Sequence, residues 1–181
     1  MPVHSIYKLV SLLLDYPDAA LLGALGELRT ATERLAGSGL EDRRAVSAFL
    51  DYLNSRPLMD LQADYVQTFD LTPDNTLHLT HHLYEEQDRE RGITLAALID
   101  HFKRTGLEPG TRELPDYLPL LLEYASTLED STVAAGFLGQ MRAAVSVIAE
   151  NLEKTGSPYA PLLRIVEKHG RAADVQHAAI G

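Results

Sequence analysis

None of the 181 residues is cysteine. The chain's own side chains therefore form no disulfide, thiolate nucleophile, cysteine-ligated zinc site or cysteine-held iron–sulfur cluster. Basic charge is scarce as well: 16 Lys and Arg stand against 26 Asp and Glu, a formal net charge of −10. Gripping a phosphate backbone requires a basic surface, so this balance weighs against nucleic-acid binding. An acidic surface suits a basic or uncharged partner. Long apolar runs are missing. The stretch Leu9–Leu14 falls far short of the roughly 20 residues that span a bilayer. The opening "MPVHSIYKLVSLLLDYPD" carries neither the basic start nor the small-residue cleavage site of a secretory signal. The expected location is the cytoplasm. Nothing alternates with period two over a useful length, which argues against a sheet. No G-x-S-x-G, phosphate-cradling loop or dinucleotide fingerprint occurs, which favours a binding protein over an enzyme.

Apolar residues make up 45% of the chain. A chain this long buries roughly 70% of its unfolded surface, enough for one independent core. Apolar residues recur with the 3.6-residue period at Ile6, Leu9, Val10 and Leu13, with Pro17 as a stop, and again at Leu21, Leu22, Leu25 and Leu28. The period returns from Ala45 to Leu53 and from Leu58 to Phe69, with Pro57 at the second start. "TLHLTHHLYEE" reads as a fifth helix and Leu95–Phe102 as a sixth, closed by Gly106. Val133, Phe137, Met141, Ala144, Ile148 and Leu152 predict one long helix stopped by Gly156. A last helix starts at Ser157–Pro158 and is expected to stop at Gly170. The fold class is all-α: about eight or nine helices in a single-domain bundle over residues 1–170, with 171–181 as a flexible tail.

Two stretches invite a chemical reading. His78, His81, His82 and Glu85 are related by three- and four-residue steps, so several share one helix face. Imidazoles so placed can bind zinc or iron. However, the paired Glu-x-x-His of a di-iron bundle and the H-E-x-x-H signature are both absent, and no bound metal is expected. A small helical metal-binding protein built on this cluster is the alternative reading. The other stretch is "ELPDYLPLLLEY", with Pro115 and Pro119 at the mouth of an apolar helix. With Asp116 as N-cap, its carboxylate would accept the Leu118 N–H. Pro119 would then fall in the first turn, where its missing donor is harmless. In that reading the prolines fix where the helix starts, and the corner presents Asp116 and Tyr117. An Asp116→Asn change would then be nearly neutral for stability, since Asn caps about as well as Asp.

At these residues the sequence resembles a known family. "DLQADYVQTFDLTPDNTLHLTHHLYEEQDRERG" followed by "ELPDYLPLLLEYAS" is similar to the NarJ family, the delta-subunit chaperones of respiratory nitrate reductase. "ELPDYLPLLLE" has the layout of the motif of the wider TorD/DmsD group, with Tyr117 where those proteins carry His. The resemblance implies an all-α cytoplasmic chaperone that is not an enzyme and holds no stable cofactor. It would bind the N-terminal segment of the catalytic (alpha) subunit of a nitrate reductase or a related molybdoenzyme. It would assist insertion of the molybdenum cofactor and stay out of the finished complex. By the same resemblance Tyr65, Phe69, Asp116, Tyr117, Leu121, Glu123 and Tyr124 are the expected peptide contacts, with His78, His81 and Arg89 secondary.

Overall fold

The structure is a computed structural model that describes residues 4–35, 38–85, 87–106 and 113–178. Among the described residues there are eleven α-helices and no strand, an all-α fold. They are α1 (His4–Leu14), α2 (Ala19–Gly23), α3 (Leu25–Arg34), α4 (Leu40–Asn54), α5 (Leu58–Tyr65), α6 (Thr80–Leu83), α7 (Arg89–Arg104), α8 (Leu118–Thr127), α9 (Ser131–Gly139), α10 (Arg142–Lys154) and α11 (Ala160–Ala178). A five-residue π-helical turn, Val66–Asp70, continues α5, and a 3-10 turn spans Pro73–Asn75. The loop expected around "LEPGTRE" falls mostly on 107–112, and the last three residues of the expected tail are 179–181; both lie outside the described residues.

The apolar stripes read from the sequence become the core. Leu13, Leu14, Leu50, Leu53, Leu118, Leu121, Leu122, Val145, Ile148, Leu152, Leu162 and Leu163 are all at most 1% exposed. Each such side chain contributes about 1.5–3 kcal/mol relative to an exposed one. Helix α1 runs antiparallel to α8: Lys8 pairs with Glu123, the Ser11 hydroxyl donates to the Pro119 carbonyl at 2.7 Å, and Tyr117 Oη donates to Asp15. α11 packs on both α9 and α10. Asp42 on α4 ties down the far side of α11 by accepting from Lys168 Nζ at 2.8 Å and facing His169 Nε2 at 3.1 Å.

Several boundaries differ from the sequence reading. The Leu21–Leu28 stripe is shared by two helices that meet at Ala24. The expected long helix from Val133 to Leu152 is broken at Gln140–Met141, where α9 and α10 meet at 68°. A Cβ on Gly139 would lie 3.2 Å from the Gly170 carbonyl oxygen, and one on Gly170 would lie 3.4 Å from the Leu138 backbone. The two glycines mark a close crossing of α9 and α11. Gly170 is thus a packing residue rather than a stop, and α11 runs through it to Ala178. By contrast Gly106 (φ +76) and Gly156 (φ +66) take the left-handed conformation that closes α7 and α10. No single helix is long and apolar enough to cross a membrane among the described residues; α9 and α10 pass that test only together, as a bent pair.

Candidate functional site

The "ELPDY" corner is held by an isolated antiparallel bridge between His78 and Tyr117. Leu79 N–H donates to the Asp116 carbonyl at 3.1 Å, and Leu118 N–H donates to the Leu77 carbonyl at 2.9 Å. This bridge explains why "TLHLTHHLYEE" is not one helix: His78 pairs beside the corner, Leu79 turns the chain, and α6 keeps only Thr80–Leu83. It also corrects the capping expectation. Because Leu118 N–H is taken by Leu77, Asp116 does not cap α8; Tyr117 occupies the N-cap position and makes no side-chain cap bond. Pro119 sits in the first turn as expected.

Asp116 turns the other way. It is only 1% exposed. Its Oδ2 accepts from the Thr80 backbone N–H at 3.0 Å and from the Thr80 hydroxyl at 2.5 Å, and its Oδ1 faces His78 Nδ1 at 3.3 Å. Thr80 in turn accepts from Arg91 Nε at 3.1 Å. Burial by itself would raise the Asp116 pKa, but the bonds from His78 and Thr80 outweigh it and hold the carboxyl below the usual range. The carboxylate therefore joins the corner to α6 rather than facing solvent.

The remaining sequence-nominated residues fall into separate surroundings. Tyr65 and Phe69 are buried, in an aromatic cluster with Tyr159, their ring centroids 4.9–6.1 Å apart. The Tyr65 hydroxyl donates to the Leu14 carbonyl and meets the Tyr117 hydroxyl at 2.8 Å. Burial pushes both phenols well above their ordinary pKa. Tyr124 is buried against His101, which meets its hydroxyl at 2.6 Å, and Leu121 is fully buried. Tyr117, Glu123 and His78 are half-buried, while His81 and Arg89 are exposed. The histidines do not converge. His78 faces Asp116, His82 Nε2 meets the Thr76 carbonyl at 2.8 Å, and the exposed His81 ring packs edge-on against His82 at 5.4 Å. No group of three or more His, Asp or Glu placed to hold a metal ion occurs among the described residues, and nothing supports the metalloprotein alternative.

Two clefts flank the corner. The first, about 150 Å³ between α1 and α8, has Tyr117, Pro119 and Leu120 as its apolar side and Asp15, Glu113 and Glu123 as its charges. Lys8 is the cation paired there, with Glu123. The second, about 290 Å³, lies beneath α7 between Leu79, Leu83, Leu98, Leu121 and Met141, with Asp116 at its edge. Of the residues at the corner and its clefts, the sequence singled out Tyr117, Glu123, Asp116 and Leu121 as candidate contacts, but not Asp15, Thr80, Arg91, Leu98 or Met141. Those five gain their place only through contacts between distant segments, such as Asp15 with Tyr117, and no local spacing marks them.

The sequence model of the nitrate reductase delta subunit family matches residues 38–164. The chain is 34% identical over 165 residues to the Escherichia coli (strain K12) nitrate reductase molybdenum cofactor assembly chaperone NarJ, covering 91% of this chain and 69% of that one. It is 31% identical over 160 residues to the probable chaperone of the same name from Bacillus subtilis (strain 168), covering 88% and 85%. It also matches the nitrate reductase-like protein NarX of Mycobacterium tuberculosis (strain ATCC 25618 / H37Rv), 30% identical over 165 residues, or 91% of this chain and 24% of the relative.

Proposed function

The chain belongs to the nitrate reductase delta subunit family, and from that premise we propose that it is a system-specific chaperone of nitrate reductase assembly that assists molybdenum cofactor insertion. The observation that carries this reading is the breadth of the likeness: 34% identity across 91% of the chain to a relative named for that task.

In finer detail, the client is the apo catalytic subunit of a nitrate reductase or related molybdoenzyme, bound in the cytoplasm through its N-terminal segment and released once the cofactor is in place. The chaperone catalyses no reaction and is absent from the finished enzyme. The client segment is taken as a helix laid against the start of α8, the helix-in-groove mode. The two clefts beside Tyr117 and Asp116 support that placement: one offers carboxylates for a basic side chain, the other an apolar lining. The net charge of −10 would speed encounter with a basic segment. Among the sequence-nominated contacts, Tyr117 and Glu123 meet the client directly. Asp116, Tyr65, Phe69 and Tyr124 hold the corner and the helices that carry it.

Calorimetric titration with a peptide copying the first 15–40 or so residues of the catalytic subunit tests this detail, with an expected affinity roughly in the micromolar to nanomolar range once ordering costs are subtracted. Glu123→Gln should weaken binding about threefold at low salt, with the difference vanishing at high salt. No heat and no rise in Tm from a folded sample would overturn the N-terminal placement.

A further inference from the structure

We propose that α7 is a hinged jaw over the 290 Å³ cavity beneath it: its C-terminal end is fixed, its N-terminal half lifts, and the opened cavity takes up apolar side chains of a helical client. The link to the client rests on the chaperone reading; the hinge does not.

The two ends of α7 are held very differently. Of its 16 residues only Phe102 is buried, whereas an amphipathic surface helix ordinarily turns a broad stripe to the core. Ile93 and Ile99 are 51% and 37% exposed. At the C-terminal end the anchor is aromatic. The Phe102 ring meets Tyr124 edge-on at 5.3 Å, His101 bonds the Tyr124 hydroxyl at 2.6 Å, and His101 stacks on Phe137 at 13°. Thr105 closes onto the Phe102 carbonyl at 2.9 Å. Toward the N-terminal end no side chain is fully buried: Leu98 packs against the core only in part, and it and Thr94 line the cavity. Protein interiors are normally close-packed, so a void under a helix forfeits the dispersion contacts that would hold it. Among the described residues, the side-chain hydrogen bonds that tie this half to its neighbours are Arg91 Nε to Thr80 Oγ1 at 3.1 Å and the Tyr84–Thr94 hydroxyl pair at 2.9 Å. Such bonds contribute modestly, because water replaces them on opening. A helix anchored at one end and lightly latched at the other is a hinge.

The occupant follows from the lining. The apolar half of that lining, Leu79, Leu83, Leu98, Leu121 and Met141, suits leucine- or phenylalanine-like anchors, and Met adapts its shape to what it receives; in the polar half, Thr80 is bonded to Asp116 and Tyr84 to Thr94. Asp116, the charged group at the edge, is already satisfied by Thr80 and His78, so the cavity does not call for a cation. The Arg91–Thr80 bond is the latch because Thr80 also holds Asp116, the residue that fixes the corner where the client docks.

The absence of cysteine makes the test clean. Met141→Cys places a single thiol in the cavity lining, and Ala149→Cys, fully buried on α10, serves as the control. Reaction with an aromatic disulfide reagent should be at least about tenfold faster at Met141→Cys, because the cavity opens locally without global unfolding. Adding Arg91→Met should quicken Met141→Cys roughly three- to tenfold and leave Ala149→Cys unchanged. A bound client peptide should slow the Met141→Cys thiol. Equal, slow reaction at both positions would overturn the hinge, as would an acceleration by Arg91→Met that reaches Ala149→Cys equally. A peptide that binds by calorimetry yet leaves the Met141→Cys thiol unprotected would overturn the cavity as its seat. If no peptide binds, the N-terminal client assignment fails, and the free-protein rates alone decide the hinge.

Discussion

Replacing Asp116 by Asn separates a surface cap from a buried tie. A capping role would make the change nearly neutral, since Asn caps as well as Asp. The structure gives a different expectation. Asp116 accepts two bonds from Thr80, at 3.0 and 2.5 Å, and faces His78 Nδ1 at 3.3 Å. Bonds to a charged acceptor contribute about 1.5–3 kcal/mol against about 0.5–1.5 for neutral ones. An amide keeps one acceptor oxygen, loses the charge and turns an NH2 group toward a neighbour, so the net loss is about 1–3 kcal/mol. For a chain of this size that lowers Tm by about 2–12 °C. The pH dependence follows from the lowered pKa of Asp116. A carboxyl whose folded pKa lies below its unfolded value of about 3.9 stabilises the fold fully above that value and loses the contribution as pH falls through the folded one. The gap between wild type and Asp116→Asn should therefore be full at neutral pH and narrow as pH is taken from about 5 toward 3. Urea unfolding followed by circular dichroism at several pH values reads both effects. Equal midpoints at neutral pH, or a gap as wide at pH 3 as at pH 7, would refute the buried tie.

Two other substitutions probe the packing and the corner. Gly139→Ala places a methyl 3.2 Å from the Gly170 carbonyl oxygen, so α11 must shift by a few tenths of an ångström; overpacking of about 1–3 kcal/mol, set against the about 0.5–1 kcal/mol that Ala gains over Gly inside a helix, gives a net loss of up to about 2 kcal/mol in denaturant unfolding, and wild-type or greater stability would show that the α9–α11 crossing yields. Tyr117→Phe removes the hydroxyl that meets Tyr65 and Asp15 at a cost of about 0.5–1.5 kcal/mol but keeps the ring, so peptide titration should show Tyr117→Phe binding close to wild type and Tyr117→Ala binding at least about tenfold more weakly; equal binding by both would remove Tyr117 from the client surface.

The helical stripes were legible because burial imposes its period on sequence. The core of α1, α4, α8 and α10 lies at the positions the 3.6-residue spacing marks, and Gly106 and Gly156 end their helices as read. What the spacing could not show is where two segments meet. Residues 77–79 have helical spacing yet pair with 116–118, because a bridge to a distant segment satisfies their backbone better than one more turn. The break at Gln140–Met141 adjoins the close crossing of Gly139 with Gly170, 31 residues further along the chain. At the corner the residue types were legible and their orientation was not. Asp116 and Tyr117 are adjacent in sequence, but one is buried against Thr80 and the other half-exposed beside Asp15. Asp has high propensity for caps, and local reasoning assigns it that role until the partner that outcompetes the cap, Thr80, is seen.

If this chain helps equip a nitrate reductase catalytic subunit with its cofactor, the subunit made without the chain should lack molybdenum. The most direct measurement is the molybdenum content of that subunit, purified from its native host with and without a functional copy of this chain and compared at equal protein. Near-stoichiometric molybdenum is expected in the first sample and a largely cofactor-free subunit in the second, restored by resupplying the chain. Equal molybdenum in both samples would contradict that role.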